Sequence, residues 1–217
     1  MAPEHKNDQF CWRNAEAACS HEYLIPSIKR AIEAYRQGEK GNRQKLRIFD
    51  VGCGNGYLAR YLINKGFSVD GCDISESGIR QAESLCPEGR FELLSVYDNF
   101  LDRFTPGYDL VILSEVIEHL YSPRIAVQRA KELLRPGGLL IITTPYHGYL
   151  KNLLLALTGK LDPHFTALWD GGHIKFWSRK TISQLLQEFG FCDFKFFNAG
   201  RLAYLWKSLV VSARKPE

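Results

Sequence analysis

The stretch LRIFDVGCGNGY at residues 46–57 joins an apolar run to three alternating glycines. The apolar run predicts a buried strand, and residues 57–64 have the spacing of a helix. Gly52, Gly54 and Gly56 let the backbone turn sharply and approach a ligand where a side chain would collide. The helix that follows would direct free N–H groups toward an anionic or electron-rich group. A strand–loop–helix unit of this kind predicts a nucleoside-binding site.

The rest of the chain alternates in the same way. Further strands are predicted at Ser68–Asp73, Phe91–Leu94, Tyr108–Ser114, Leu139–Thr144, Phe191–Asn198 and Tyr204–Ala213. Helices separate them, except that the last two strands follow each other after a short turn. Such a pair must be antiparallel, because a parallel return needs a long crossover. The pattern predicts an α/β protein with a doubly wound, Rossmann-like sheet of seven strands, mostly parallel with an antiparallel C-terminal strand.

Composition is that of an ordinary globular protein. The chain has 217 residues, of which 45% are hydrophobic and 24% charged, and a net charge of +4. This charge is compatible with an anionic ligand, but it is too small to favour nucleic acid as a partner. The sequence contains no apolar segment typical of a signal peptide, and its six cysteines form no C-x-x-C pair. A cytoplasmic location with reduced thiols is therefore expected.

The second strand ends in an acidic residue, Asp73, about 20 residues after the glycines, where a carboxylate can bind ribose hydroxyls. A dinucleotide pattern would require glycine at the position of Tyr57, and the Gly-Lys-Ser/Thr of a P-loop is absent. With these features, the segment from Leu46 to Ala213 resembles the class I S-adenosylmethionine-dependent methyltransferases. It resembles in particular the ubiquinone-biosynthesis O-methyltransferase-like group, which carries a closely similar E-x-x-E-H motif after the fourth strand.

The resemblance implies a cofactor site for S-adenosylmethionine. Five residues of the first loop would hold the methionine part of the cofactor: Asp50, Gly52, Cys53, Gly54 and Gly56. Asp73 would bind the ribose and Ile74 would contact the adenine. Either Tyr97 or Asp98 would contact the adenine amine, and the sequence does not choose between them. Ser114 and Glu115, at the end of the fourth strand, would face the cofactor.

Glu115, Glu118 and His119 follow that fourth strand as E-x-x-E-H. On one helical turn they would share a face, and two adjacent carboxylates repel unless a cation, a proton or hydrogen bonds compensate. In one hypothesis His119, with Glu118 beside it, is a general base. In another, these three residues bind a divalent cation such as Mg²⁺. The small-RNA 2′-O-methyltransferases carry a similar E-x-x-E-H with a distant metal-binding histidine, and the resemblance of Gly172-His173-Ile-Lys-Phe176 to that context adds His173 as a catalytic or metal-binding residue. In a third, Glu118 and His119 only cap a turn.

The same position indicates the methylated atom. Amino-directed nucleic-acid methyltransferases carry Asp/Asn-Pro-Pro-Tyr/Phe after this strand, whereas this chain has Ser114-Glu-Val-Ile. The sequence therefore favours O-methylation of a small apolar or aromatic acceptor, such as a quinol or phenol, or of a natural-product or sugar hydroxyl. The alternatives are a metal-dependent RNA 2′-O-methyltransferase and a non-catalytic module that binds S-adenosylmethionine.

Two segments are expected to determine the substrate. An insertion at about residues 146–177 is longer than ordinary connections, and such segments are often functional. Its leucines form one helical stripe: Leu150, Leu153, Leu154, Leu157 and Leu161. The helix could pack on its own domain or form a lid, and in the resembling enzymes such a lid implies peripheral membrane contact. Residues 1–45 are predicted to be a helical extension with a linker that covers the cofactor, and residues 46–217 to be the methyltransferase domain.

Overall fold

The computed structural model describes residues 12, 16, 20–38, 45–165, 167–169 and 171–217. The strands are β1 (Arg47–Val51), β2 (Ser68–Asp73), β3 (Phe91–Leu93), β4 (Tyr108–Ser114), β5 (Leu134–Pro145), β6 (Cys192–Ala199) and β7 (Ser208–Arg214). The helices are α1 (His21–Gly38), α2 (Tyr57–Ile63), α3 (Glu76–Leu85), α4 (Pro123–Leu133), α5 (Tyr149–Leu157), α6 (Leu161–Phe165) and α7 (Arg179–Glu188). Short 3₁₀ turns lie at Phe100–Asp102 and Ile117–His119.

The seven strands form one sheet in the order β3-β2-β1-β4-β5-β7-β6. The pairs from β3 to β5 are parallel, and β7 is antiparallel to both of its neighbours. The predicted fold class is therefore confirmed. Two strand starts were wrong: β5 begins at Leu134 rather than Leu139, and β7 begins at Ser208 rather than Tyr204, so residues 200–207 form a connection rather than a short turn. Tyr204 has a positive φ of 65°, which is incompatible with strand geometry.

The sheet is covered on both faces, and this explains the apolar runs. All six residues from Tyr108 to Leu113 in β4 are buried, as expected of a central parallel strand. On one face, Phe49 packs against the rings of Phe100, Phe104 and Tyr108. On the other face, α1 packs against β5, β6 and β7. None of the described helices is both long and apolar enough to cross a membrane.

A buried ion pair connects α1 to the middle of the sheet. Nε of Arg135 donates to Oδ1 of Asp109 at 2.7 Å, and its Nη2 donates to the hydroxyl of Tyr35 in α1 at 2.7 Å. The other oxygen of Asp109 accepts the backbone N–H of Arg47 at 2.9 Å. The side chain of Asp109 is 3% exposed. Helix α1 is thus held to the core by polar contacts as well as apolar ones.

Candidate active site

The glycine loop follows β1 as predicted. The N–H groups of Gly52 and Cys53 both donate to the carbonyl of Cys72 in β2, at 2.8 and 3.0 Å. Gly56 has a φ of 80°, and a Cβ there would lie only 2.7 Å from Cα of Ala82 in α3. Glycine is therefore required at this position both for its backbone conformation and for the close approach of α3.

Asp73 fixes the loop to the end of β2. Its Oδ2 accepts the N–H of Gly54 at 2.8 Å, and its Oδ1 accepts the N–H of Ser75 at 2.8 Å. Ser75 in turn caps α3 by accepting the N–H of Gly78. Burial raises the pKa of Asp73, and its backbone hydrogen bonds oppose that shift. The carboxylate predicted to bind a ribose thus also sets the shape of the loop.

Asp50 is a buried acid at the end of β1, 1% exposed. Neither of its carboxylate oxygens has a hydrogen-bond partner among the described residues. Burial, and secondarily the charge of Asp73, raise the pKa of Asp50 to about 8. A buried carboxyl without partners is costly, and a cation or N–H donor would offset that cost. The ammonium group of S-adenosylmethionine is such a donor, so the residues present fit this cofactor.

The other residues predicted to contact the cofactor lie around this edge. Ile74 and Tyr97 are 50% and 44% exposed, and so could cover a ligand. Asp98 closes a turn, since its Oδ2 accepts the N–H of Ser95 at 2.8 Å. The structure therefore gives both Tyr97 and Asp98 accessible positions without choosing between them.

Two residues before α1 lie against the glycine loop. The indole of Trp12 occupies the space that a side chain on Gly54 would need. The carbonyl of Trp12 accepts Nε2 of Gln81 at 2.7 Å, and the carbonyl of Glu16 accepts Nδ2 of Asn55 at 2.8 Å. The N-terminal segment thus contacts the loop at these two described positions. Most of its other residues lie outside the described part of the chain.

The E-x-x-E-H motif does not form the single helical turn that the sequence predicted. Glu115 has a left-handed backbone, with a φ of 54°, and the 3₁₀ turn at Ile117–His119 follows. The carboxylate of Glu115 accepts hydrogen bonds from Thr143 at 2.8 Å and Ser208 at 3.3 Å. Burial raises its pKa to about 7, although these hydrogen bonds oppose the shift. The change of backbone direction therefore separates Glu115 from the rest of the motif.

Glu118, His119 and His173 come together. One ligand atom from each lies within 4.8 Å of the others, and Glu115 is not part of this group. Backbone hydrogen bonds bring the two segments together, because the carbonyl of Glu118 accepts the N–H groups of Ile174 and Lys175 at 2.9 and 3.0 Å. The rings of His119 and His173 are 4.8 Å apart, centroid to centroid. We call Glu118, His119 and His173 the E-H-H cluster.

The chemistry of the E-H-H cluster suits a divalent cation. Nδ1 of His119 lies 2.8 Å from the carbonyl oxygen of Gly171. Because a carbonyl can only accept, Nδ1 carries the proton and Nε2 keeps a free lone pair in the neutral ring. Both carboxylate oxygens of Glu118 are buried and have no hydrogen-bond partner among the described residues. Burial and the charge of Glu115 raise the pKa of Glu118, and a bound cation would reverse that effect.

A cavity of about 530 Å³ lies next to this cluster, between the carboxyl edge of the sheet and the insertion. We call it the acceptor cavity. Glu115 and His173 line it, together with residues that the sequence did not single out. These are Arg201, Leu205, Lys207 and Ser208 near the start of β7, and Tyr23 of α1 also lines the cavity. Only folding brings these segments together, and no local motif marks them.

The insertion helix α5 exposes its leucine stripe. The exposed fractions of Leu150, Leu153, Leu154 and Leu157 are 45%, 40%, 39% and 74%, and α5 has no buried residue. The leucine stripe is therefore not buried in the core, although Nζ of Lys151 in the same helix donates to the carbonyl of Tyr146. Aromatic contacts hold the inner side of the insertion, where His147 packs against Phe165 and Phe176.

Known proteins are similar to this chain in sequence. The chain is 34% identical over 117 residues to a ubiquinone biosynthesis O-methyltransferase of Caulobacter sp. strain K31, covering 52% of this chain and 46% of that protein. It is 32% identical over 123 residues to the enzyme of the same name from Leptothrix cholodnii, covering 55% and 52%. The chain thus matches about half the length of these relatives.

Solved structures share the fold. A magnesium protoporphyrin IX methyltransferase from Synechocystis PCC 6803 with bound SAH superposes with a TM-score of 0.65 at 20% identity, covering 88% of this chain and 82% of that one. A SAM-dependent methyltransferase from Methanosarcina mazei gives a TM-score of 0.61 at 20% identity, covering 86% and 97%. A family model described as a methyltransferase domain matches residues 20–193. This match spans most of the chain and confirms the resemblance deduced from the glycine loop: the chain belongs to the methyltransferase domain family.

Proposed function

We propose that this protein is an S-adenosylmethionine-dependent methyltransferase that methylates an oxygen of a small acceptor. The observation that carries the proposal is the partnerless carboxyl of Asp50, which lies beside a glycine loop fixed by Asp73. Asp50 and the loop residues Gly52, Cys53, Gly54 and Gly56 would hold the methionine part of the cofactor. Asp73 would hold the ribose, with Ile74, Tyr97 or Asp98 around the adenine and Ser114 nearby. When bound, the cofactor supplies an electrophilic methyl group.

The protein's own contribution is to position the acceptor and to handle its proton. A ligand in the acceptor cavity would lie beside Glu115 and His173, which line it. The E-H-H cluster would hold a divalent cation, which lowers the pKa of an acceptor hydroxyl and orients it. In the alternative, the free Nε2 of His119 takes the proton directly. Holding two reactants in line accounts for much of the rate enhancement of such a transfer.

The acceptor class that we propose is a phenol or quinol. The curated relatives are named for ubiquinone biosynthesis, and Phe165, Phe176 and Leu154 give the acceptor cavity an apolar wall. An RNA 2′-O-methyltransferase is the second candidate, which the E-H-H cluster favours. The net charge of +4 argues against it.

Two further predictions concern the segments outside the central sheet. We propose that residues 1–45 cover the cofactor, a role supported by the contacts of Trp12 and Glu16 with the loop. We also propose that α5 makes peripheral contact with a membrane surface, since its leucines are exposed and the exposed Lys160 lies near the end of the helix. Cytoplasmic location remains a prediction from the sequence.

The test combines a binding measurement with an acceptor screen. Calorimetry should show binding of S-adenosylmethionine and SAH but not of NAD, and the variant Asp73→Ala should weaken binding at least about tenfold. Labelled S-adenosylmethionine should then methylate phenols or quinols in preference to sugars and short RNA. Binding of NAD without binding of S-adenosylmethionine would contradict the proposed methyl transfer. Methylation of RNA alone would favour the second candidate, an RNA 2′-O-methyltransferase.

A further inference from the structure

We infer that the methyl acceptor carries an anionic group, a carboxylate or a phosphate, which Lys151, Arg201 and Lys207 recognise in the acceptor cavity. The inference rests on the proposed function, because it describes the acceptor of the same site. It adds a requirement on the charge of the acceptor, which neither the glycine loop nor the E-H-H cluster imposes.

The first support is the charge of the cavity wall. Three cationic side chains line the cavity, and Glu115 is the only acidic residue among the described lining residues. With Glu115 ionised the wall has three positive charges and one negative, a net charge of +2. Glu115 is already hydrogen-bonded to Thr143 and Ser208 rather than to any of these cations. The wall therefore has an excess of positive charge.

The second support is that protein carboxylates do not neutralise these cations. Among the described residues, Lys151, Arg201 and Lys207 take part in no ion pair. Nζ of Lys151 donates to the carbonyl of Tyr146 at 2.8 Å, and Nζ of Lys207 lies 4.7 Å from the ring centroid of Tyr23. Both contacts leave the positive charge unpaired, although they hold the two side chains in place.

The effect of this charge is visible on neighbouring groups. Burial and then the charge of Arg201 lower the pKa of Lys151, while the charge of Glu115 opposes them. Burial and then the charge of Lys151 lower the pKa of His147 to about 4, so this imidazole is neutral at pH 7. An anion entering the cavity would meet a positive field in a partly desolvated space, where a charge-assisted hydrogen bond is stronger than in water.

The remaining wall indicates the shape of the acceptor. Leu154, Leu155, Phe165 and Phe176 line the cavity beside the cations. An acceptor with an apolar or aromatic body and an anionic group would contact both kinds of surface. A neutral acceptor of the same shape would leave the three cations without partners, and this difference is the basis for selectivity.

The experiment measures binding, so it does not depend on knowing the natural acceptor. Three probes share one apolar body: 4-butoxybenzoate, 4-butoxyphenyl phosphate and the neutral 4-butoxybenzamide. Each is titrated into the protein saturated with SAH and into the cofactor-free protein. We expect at least one anionic probe to bind tenfold or more tightly than the amide, and the stronger of the two identifies the group.

The test variant is the double substitution Arg201→Gln with Lys207→Gln, and the control is Lys160→Gln, which removes a cation of the insertion that lies outside the cavity wall. The double variant should bring the anionic probe within about twofold of the amide, whereas the control should keep the preference. The affinity of the double variant for SAH should equal that of the wild type, which would show that the double variant is folded.

Three results would overturn the inference: equal binding of anion and amide, no binding of any probe, or a preference that survives the double variant. Failure of SAH to bind would instead refute the proposed function, and it is observed before any probe is added. Because the probes are also titrated without SAH, the charge selectivity of the cavity is measured in either case.

Discussion

The backbone carbonyl of Glu118 accepts the N–H of Ile174 at 2.9 Å, although 56 positions separate the two residues in the chain. This hydrogen bond, with a second from Lys175, brings the end of the insertion to the turn that follows β4. His173 consequently lies beside His119, and a carboxylate and two imidazoles meet at one point. Carboxylate and imidazole ligands together suit several divalent cations.

Replacing Glu118 or His173 of the E-H-H cluster should weaken metal binding. We expect Glu118→Gln and His173→Gln to lower the affinity for Mn²⁺ at least about tenfold, because each removes a ligand from the E-H-H cluster. Calorimetry with Mn²⁺ checks this directly. His164→Gln is the matched control, since it removes an imidazole from the same insertion but outside the cluster. Full methyl transfer after exhaustive chelation would contradict a role for the metal and leave His119 as the base.

Cofactor binding should release a proton from Asp50. With a pKa of about 8, this carboxyl is mostly protonated at pH 7 in the cofactor-free protein. An ammonium beside it would lower that pKa and drive off close to one proton. Calorimetric titrations with SAH in buffers of different ionisation enthalpy measure the number released. Asp50→Asn should abolish the release, and an unchanged proton count in that variant would exclude Asp50 as the source.

The raised pKa of Asp50 also predicts how the free energy of unfolding depends on pH. The pKa of Asp50 is raised in the folded protein relative to its ordinary value of 3.8, so the folded state binds more protons than the unfolded state between about pH 4 and pH 8. This contribution to the free energy of unfolding is therefore present at low pH and lost as the pH rises through that window. Asp50→Asn should make the urea midpoint less dependent on pH across the window, and an equal dependence would contradict the assignment.

Alanine substitutions at Gly56 and Gly66 distinguish the stability cost of backbone strain from that of a steric clash. Gly56→Ala should destabilise the protein by about 2–4 kcal/mol, because its Cβ would collide with Ala82 as well as force a residue other than glycine into a left-handed conformation. Gly66→Ala should cost only about 1–2 kcal/mol, since Gly66 has a φ of 89° but open space around it. Urea denaturation measures both. Equal losses would show that the contact with α3 adds nothing.

The buried ion pair between Asp109 and Arg135 should matter more than an exposed one. Asp109→Ala should lower the free energy of unfolding by about 3–5 kcal/mol, because it removes the buried carboxylate that pairs with Arg135 and accepts the N–H of Arg47. Glu188→Gln, which breaks an exposed pair with Arg124, should change stability little. Thermal or urea unfolding of the two variants tests the contrast.

Much of the fold could be predicted because its signals are local. The strands around the glycine loop are apolar runs bounded by glycine or acidic residues, and Asp73 lies at the end of the second one. The start of β7 was misplaced because Tyr204 and Trp206 look like strand residues. Their rings instead pack on each other in the connection before the strand.

The candidate site was predicted only in part, for a different physical reason. Spacing along the chain placed Glu115 with Glu118 and His119, but the left-handed backbone at Glu115 turns its carboxylate toward Thr143 and Ser208. No sequence pattern marks a glutamate for that conformation. Arg201 and Lys207 were missed because they reach the acceptor cavity through the pairing of β7 with β5, a contact between distant segments.

The insertion is attached through the main chain of Glu118, so it can be divided into two parts. We call the part that contains Ile174 and Lys175 the return segment, and the outer part comprises residues 149–165. The return segment is held by main-chain N–H and carbonyl groups, which every residue except proline provides, so these hydrogen bonds require no particular side chain among residues 149–165, although Phe165 also packs against Phe176. That outer part could be exchanged for the corresponding loop of another methyltransferase while the return segment keeps its register. Such a chimera should show altered acceptor preference but an unchanged affinity for Mn²⁺, and loss of Mn²⁺ binding would show that the two parts fold together.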